Sequence, residues 1–184
     1  MLFRTFISTV AAAPSSPTPR SSAERHTVDK PTLTHLFMQH YQANRLLWEA
    51  VMTLDDAQFM QPLMEGRPSI YTQIVEMVAN ENLWVNYLWH GQVEFLQPCQ
   101  LPTRACICCE WDALEEELLD FLDELTPADL EERIAPGFLN HVVRLSVGES
   151  LLQVVQQAAE SRRRLWDDLR YFGFTVAPAS SSIS

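Results

Sequence analysis

Residues 148–173, GESLLQVVQQAAESRRRLWDDLRYFG, restrict the fold more than any other part of the chain. Leu151, Val154, Val155, Ala158, Leu165 and Leu169 recur at spacings of three and four, the period of one apolar helical face and not of a strand. Glu149 and Ser150 suit a first turn, where free N–H groups favour oxygen acceptors and negative charge. Gly173 is a natural stop, because glycine tolerates the left-handed geometry of a C-cap. The stretch reads as the last helix of a bundle. Arg162, Arg163 and Arg164 in its middle read as a solvated face paired with Glu160, Asp167 and Asp168 at helical spacing. An anion-binding patch is the alternative.

Three further amphipathic stretches precede it. The first spans about residues 32–54, with Leu36, His40, Asn44, Leu47 and Val51 on one side and Phe37, Tyr41 and Trp48 beside them, a stripe wide enough for a buried bundle helix. His35 and His40 read as structural histidines, since neither has a histidine partner at i+4. Asp55 and Asp56 then open a short helical turn before Pro62. The second helix starts behind Ser69, a good N-cap, and ends at Gly91. Ile70, Ile74, Met77, Glu81, Trp84 and Leu88 share its face, so Glu81 falls on an apolar stripe and needs an arginine, a hydroxyl or a backbone donor. The third runs from Trp111 to about Leu125, with Trp111, Leu114, Leu118, Phe121 and Leu122 inward and acids outward. Thr126-Pro127 restarts a short helix. The segment 133–147 reads as a small hairpin, with a turn at Pro136-Gly137 and an edge strand over 141–145.

The whole is one domain of 184 residues, long enough to bury a real core. A net charge of −11 argues against nucleic acid, which needs a basic stripe to displace counterions, and against anionic membrane surfaces. No apolar run is long enough to span a bilayer. Residues 1–30, rich in Ser, Pro, Ala and Thr, read as a disordered extension, with an organelle transit peptide as the alternative. Residues 31–176 form the bundle, and 177–184 a disordered tail. Cys99, Cys106, Cys108 and Cys109 lie within eleven residues, a spacing poorly suited to a closed zinc site. They read as free thiols in a loop between helices, able to form a local disulfide after oxidation. Free thiols fit a reducing, cytoplasmic home.

Four amphipathic helices, with a short helix after the first and a hairpin before the last, resemble the DinB-like superfamily over roughly residues 33–174. LTHLFMQHYQANRLLWEAVMTLDDAQFMQPL resembles its first helix and the connection after it. SIYTQIVEMVANENLW resembles its second, WDALEEELLDFLDELTPADLEERI its third, and LLQVVQQAAESRRRLWDDLRYFGF its fourth. The resemblance implies an all-α, up-down-type four-helix bundle that tends to dimerise. Active members resemble one another in a three-histidine metal site, with one ligand on the second helix and two at i, i+4 on the last. Those positions fall here on Glu76, Gln157 and Ser161. None is histidine, and a neutral amide and a hydroxyl bind zinc or nickel weakly.

The expected function is therefore that of a bundle without metal-dependent catalysis: no catalytic residue, no cofactor, and a role as a binding, regulatory or dimeric scaffold module. Tyr41, Trp48, Trp84, Tyr87 and Trp89 suggest a partner surface. The alternatives are a divergent metal-dependent hydrolase or bacillithiol-type S-transferase with zinc or nickel, and a small-molecule pocket built on Glu76, Gln157 and Ser161.

Overall fold

In a computed structural model, residues 28–139 and 144–174 are described. Four long helices form the body: α1 (Lys30–Met52), α3 (Ile70–His90), α4 (Arg104–Glu124) and α6 (Val147–Tyr171). Two short ones lie between them, α2 (Asp56–Met60) and α5 (Pro127–Glu131). Strands β1 (Arg133–Ile134) and β2 (Leu145–Ser146) pair antiparallel, Arg133 opposite Ser146 and Ile134 opposite Leu145. The expected hairpin is thus present. The expected strand residues 141–143 lie outside the described residues, as do residues 1–27 of the expected disordered extension 1–30 and the expected tail 177–184; at its end the extension is ordered, with Asp29 capping α1 and Lys30 opening it. No described helix is long and apolar enough to cross a membrane.

Local signals account for the helix ends. Ser69 Oγ accepts from the Thr72 N–H at 3.1 Å and caps α3. Gly91, at φ 66°, turns the chain out of that helix in the left-handed region. Two boundaries differ from the sequence expectation. The last helix is capped by Ser146, whose side chain and Glu149 satisfy each other's backbone N–H groups, and Ser150 instead donates back to the Ser146 carbonyl. Helix α4 begins seven residues before Trp111, behind the cap Thr103. Cys106, Cys108 and Cys109 therefore stand on a helix and not in a loop, while Cys99 sits in a single 3-10 turn, Pro98–Gln100.

Helix α1 packs against α4 and α6, and α3 packs against the same two. Around the ring the order is α1, α4, α3, α6, so the first two long helices face each other across the diagonal. The long connections after α1, α3 and α4 permit this order. Leu33, Phe37, Leu47, Ile74, Val78, Trp84, Leu118, Leu151 and Leu165 fill the centre. Arg104, in the first turn of α4, donates to the carbonyls of Leu54 and Asp55 at 3.1 and 3.2 Å and lies 4.1 Å over the Phe59 ring, which fixes α2. A Cβ on Gly148 would meet Val28 and the Leu130 carbonyl at 3.2 and 3.3 Å, so the lack of a side chain lets α5 settle on the start of α6.

The aromatics expected on a partner surface mostly point inward. Tyr41 and Trp84 are buried, Trp48 meets Trp111 edge-on, Tyr87 packs on Phe138, and Trp89 stacks on Phe121. Large apolar side chains are exposed elsewhere, among them Met38, Leu46 and Met52 on α1. Ser69→Ala is expected to cost about 1 kcal/mol of folding free energy, read as a lower urea midpoint at unchanged slope.

Candidate functional site

Each of the four long helices sends a polar side chain to the middle of the bundle. Glu81 of α3 is 3% exposed. His40 Nε2 lies 3.3 and 3.4 Å from its two carboxylate oxygens. Trp111 of α4 donates its indole N–H to Glu81 Oε2 at 3.4 Å. From α6, Arg162 Nη1 reaches His40 Nδ1 at 2.6 Å and Asn44 Oδ1 at 2.8 Å. Arg162 is itself buried, so the expectation of a solvated arginine run fails at this residue. The neighbouring Arg163 and Arg164 are exposed. Two of the three expected acidic partners are engaged by other groups: Asp168 by Arg67 and Gln73, and Asp167 by Arg170.

Hydrogen-bond roles fix the histidine tautomer. A guanidinium only donates, so His40 Nδ1 accepts and carries no proton. Nε2 then bears the hydrogen and donates it to Glu81. Asn44 Nδ2, 3.2 Å from Nε2, makes a contact that this tautomer leaves unpaired. The imidazole thus bridges a buried cation and a buried anion. Burial acts most strongly on Glu81 and alone would raise its pKa; His40, with Trp111 behind it, outweighs burial and holds the carboxyl below its ordinary 4.5. Tyr41's hydroxyl lies buried beside this carboxylate without hydrogen-bond geometry. Burial and then the Glu81 charge push it well above 10.0. Arg162 is lowered by burial, with Glu81 opposing.

The three positions singled out from the sequence lie in a different environment. Glu76, Gln157 and Ser161 are all half-buried, on α3 and α6. Asn80 Nδ2, one turn after Glu76, donates to Gln157 Oε1 at 3.3 Å. Burial raises the Glu76 pKa, and Arg164 draws it partly back. These side chains do not fit a borderline transition metal. One oxygen is already bonded by an amide, the carboxylate faces a guanidinium charge, and no imidazole is present. Among the described residues no three His, Cys, Asp or Glu side chains converge as a metal cage.

Two surface grooves are open to solvent. One, of about 470 Å³, follows α6 past Arg162, Arg163, Trp166 and Arg170. The other, of about 290 Å³, lies between α3, α4 and the segment joining them, beside Asn82, Glu94, Glu110 and Glu117. Neither is lined by Glu76, Gln157 or Ser161. Sequence reasoning found that Glu81 needed a partner but not that His40 and Arg162 supply it. The spacing of Ala158, Arg162, Leu165 and Leu169 was the available signal.

No protein-family profile matches the sequence, and no curated protein matches it. Solved structures do share the fold. A DinB-like protein of Bacillus subtilis, YjoA, superposes with a TM-score of 0.60 at 17% identity over 79% of this chain and 94% of that one. YfiT of Bacillus subtilis, described as a probable metal-dependent hydrolase with an unusual four-helix bundle topology, superposes with a TM-score of 0.60 at 13% identity over 86% and 95%. The fold is that of the DinB-like bundles.

The two glutamates of α3 predict opposite pH behaviour. Glu81 has a lowered pKa in the fold, so its stabilisation is present above pH 4.5 and is lost as pH falls through the folded value. Glu81→Gln should lower stability at pH 7 by about 3–5 kcal/mol, a difference that closes in acid. Glu76 has a raised pKa, so its ionisation works against folding above the folded value and not below 4.5. Glu76→Gln should raise the urea midpoint at pH 7 and leave it unchanged in acid.

A companion comparison separates the buried arginine from its neighbour. Arg162→Ala should cost about 3–5 kcal/mol by stranding Glu81. Arg163→Ala should stay within about 0.5 kcal/mol. Both are read from urea unfolding at pH 7.

Proposed function

We propose that this chain, a DinB-like bundle in fold, does not run metal-dependent catalysis and serves as a binding or dimeric scaffold module. The observation that carries this reading is the donor chemistry at the three positions where the resemblance puts a metal. Glu76, Gln157 and Ser161 offer a carboxyl, an amide and a hydroxyl. Neutral oxygen donors hold zinc or nickel weakly. An ion would also have to displace the Asn80 amide from Gln157 and compete with Arg164 for Glu76. A hydrolase or S-transferase would need another donor set. For contact with a second copy, the outer face of α1 offers Met38, Leu46 and Met52, which are 44, 61 and 53% exposed. Exposed apolar side chains grouped on one element favour association, and a self-complementary patch closes as a two-fold dimer.

Metal content of protein purified without a histidine tag is the deciding measurement. Well under one transition-metal ion per chain is expected, and one firmly held ion per chain would overturn the reading. Sedimentation velocity tests the scaffold half. The wild type should run as a dimer and Leu46→Glu as a monomer; a monomeric wild type removes the dimer.

A further inference from the structure

We propose that Cys106 and Cys109 form a redox-active dithiol that closes reversibly into a disulfide within the first turn of α4. The two thiols stand at i, i+3 on a helix, which places them on one side of it with their Cβ atoms roughly 5–6 Å apart. A disulfide needs about 3.5–4.5 Å, so the turn must tighten. Winding from α toward 3-10 geometry does this, because i and i+3 side chains then eclipse, and helix N-termini take up such winding readily.

This turn is the place where tightening breaks least. The Cys106 N–H is not in the helical ladder; it donates to Thr103 Oγ1 at 3.2 Å. The Thr103 hydroxyl in turn donates to Cys106 Sγ at 3.1 Å, a bond that strengthens as sulfur gains negative charge. Of the ladder, the bond at risk is that of Ile107 N–H to the Thr103 carbonyl, 3.0 Å. Ile107 itself is fully buried and anchors the turn to the core. Access is divided as an exchange site requires: Cys109 is exposed, and Cys106 is half-buried behind it.

The other two thiols are set apart. Cys108 points to the opposite side of the helix, 3.8 Å from Asp112 Oδ2. Burial first and the Asp112 charge second raise its pKa, which disfavours the thiolate that exchange needs. Cys99 is carried by the separate 3-10 turn.

The co-reactant is a small-molecule disulfide. Cys109 thiolate attacks one of its sulfurs, forming a mixed disulfide and expelling one thiolate. Cys106 thiolate then attacks the Cys109 sulfur, forming the intramolecular bond and expelling the second. Two cysteine thiols are oxidised, the small disulfide is reduced to two thiols, and the two cysteine protons pass to the products or to solvent.

Oxidised glutathione at neutral pH is the probe, with full-length protein, thiol counting and intact mass as readouts. The double variant Cys99→Ser/Cys108→Ser keeps only the proposed pair. It should lose both thiols, become two hydrogens lighter, remain one chain, and recover fully with dithiothreitol. Cys106→Ser should stop at one bound glutathione on Cys109, and Cys109→Ser should not close. The proposal is overturned if the double variant takes up glutathione without closing or does not react. It is equally overturned if Cys106→Ser still closes a disulfide, because the reactive pair would then be Cys108 and Cys109 or include Cys99.

Discussion

One ionised carboxylate in the middle of the bundle sets the terms for the rest. Glu81 cannot stay charged in an apolar interior unless its partners come to it. They come from every other long helix: His40 and Asn44 from α1, Trp111 from α4, and Arg162 from α6 through the imidazole. Hydrophobic side chains accept many registers at modest cost, but this set does not. Sliding α6 by one turn, about 5.4 Å, would carry the guanidinium away from His40 and leave both charges buried and unpaired. The polar centre therefore fixes which turn of each helix faces which. It also spans the diagonal, where α1 and α3 are too far apart for their backbones to pack against each other directly.

The same helix carries Glu76, five residues earlier, and its situation is the reverse. It is only half-buried, Arg164 is the cation that draws on it, and burial pushes its pKa up. Two identical side chains on α3 thus differ because one lies where four helices converge and the other where only α3 and α6 meet. Burial is the largest single influence on both. What separates them is the number of donors within reach: Glu81 has an imidazole and an indole, while Glu76 has neither.

Much of this architecture could be read from the residues, and the failures share a physical cause. Ser69 and Gly91 bracket α3 through local chemistry that needs no tertiary knowledge, and the hairpin before α6 follows from its turn signal. Glu81 on an apolar stripe announced a buried charge. The identity of its partners was not legible, because His40 and Arg162 lie 41 and 122 residues from the groups they bond. Arg162 was misread because three consecutive arginines look like a solvated run, although neighbours on a helix point in different directions. The cysteine segment was misread as a loop between helices. The Thr103 cap and the spacing of Ile107, Trp111, Leu114 and Leu118 carry the helix back to Arg104. The pairings around Glu76, Gln157 and Ser161 depend on Asn80 and Arg164, which sequence spacing does not place beside them.

Stability and chemistry are thereby separated in space. The side chains that hold the helices in register belong to the His40–Glu81–Arg162 centre, which is buried and meets the surface only where Arg162 borders the groove along α6. The positions at Glu76, Gln157 and Ser161 contribute little to that centre: an amide pair at 3.3 Å and a carboxyl whose charge burial disfavours. Changes at those three positions are expected to cost the fold less than changes at the centre. Any change at Glu81 or Arg162 strands a partner charge in the core, and all four helices share that cost. Structures at only 17 and 13% identity share this fold.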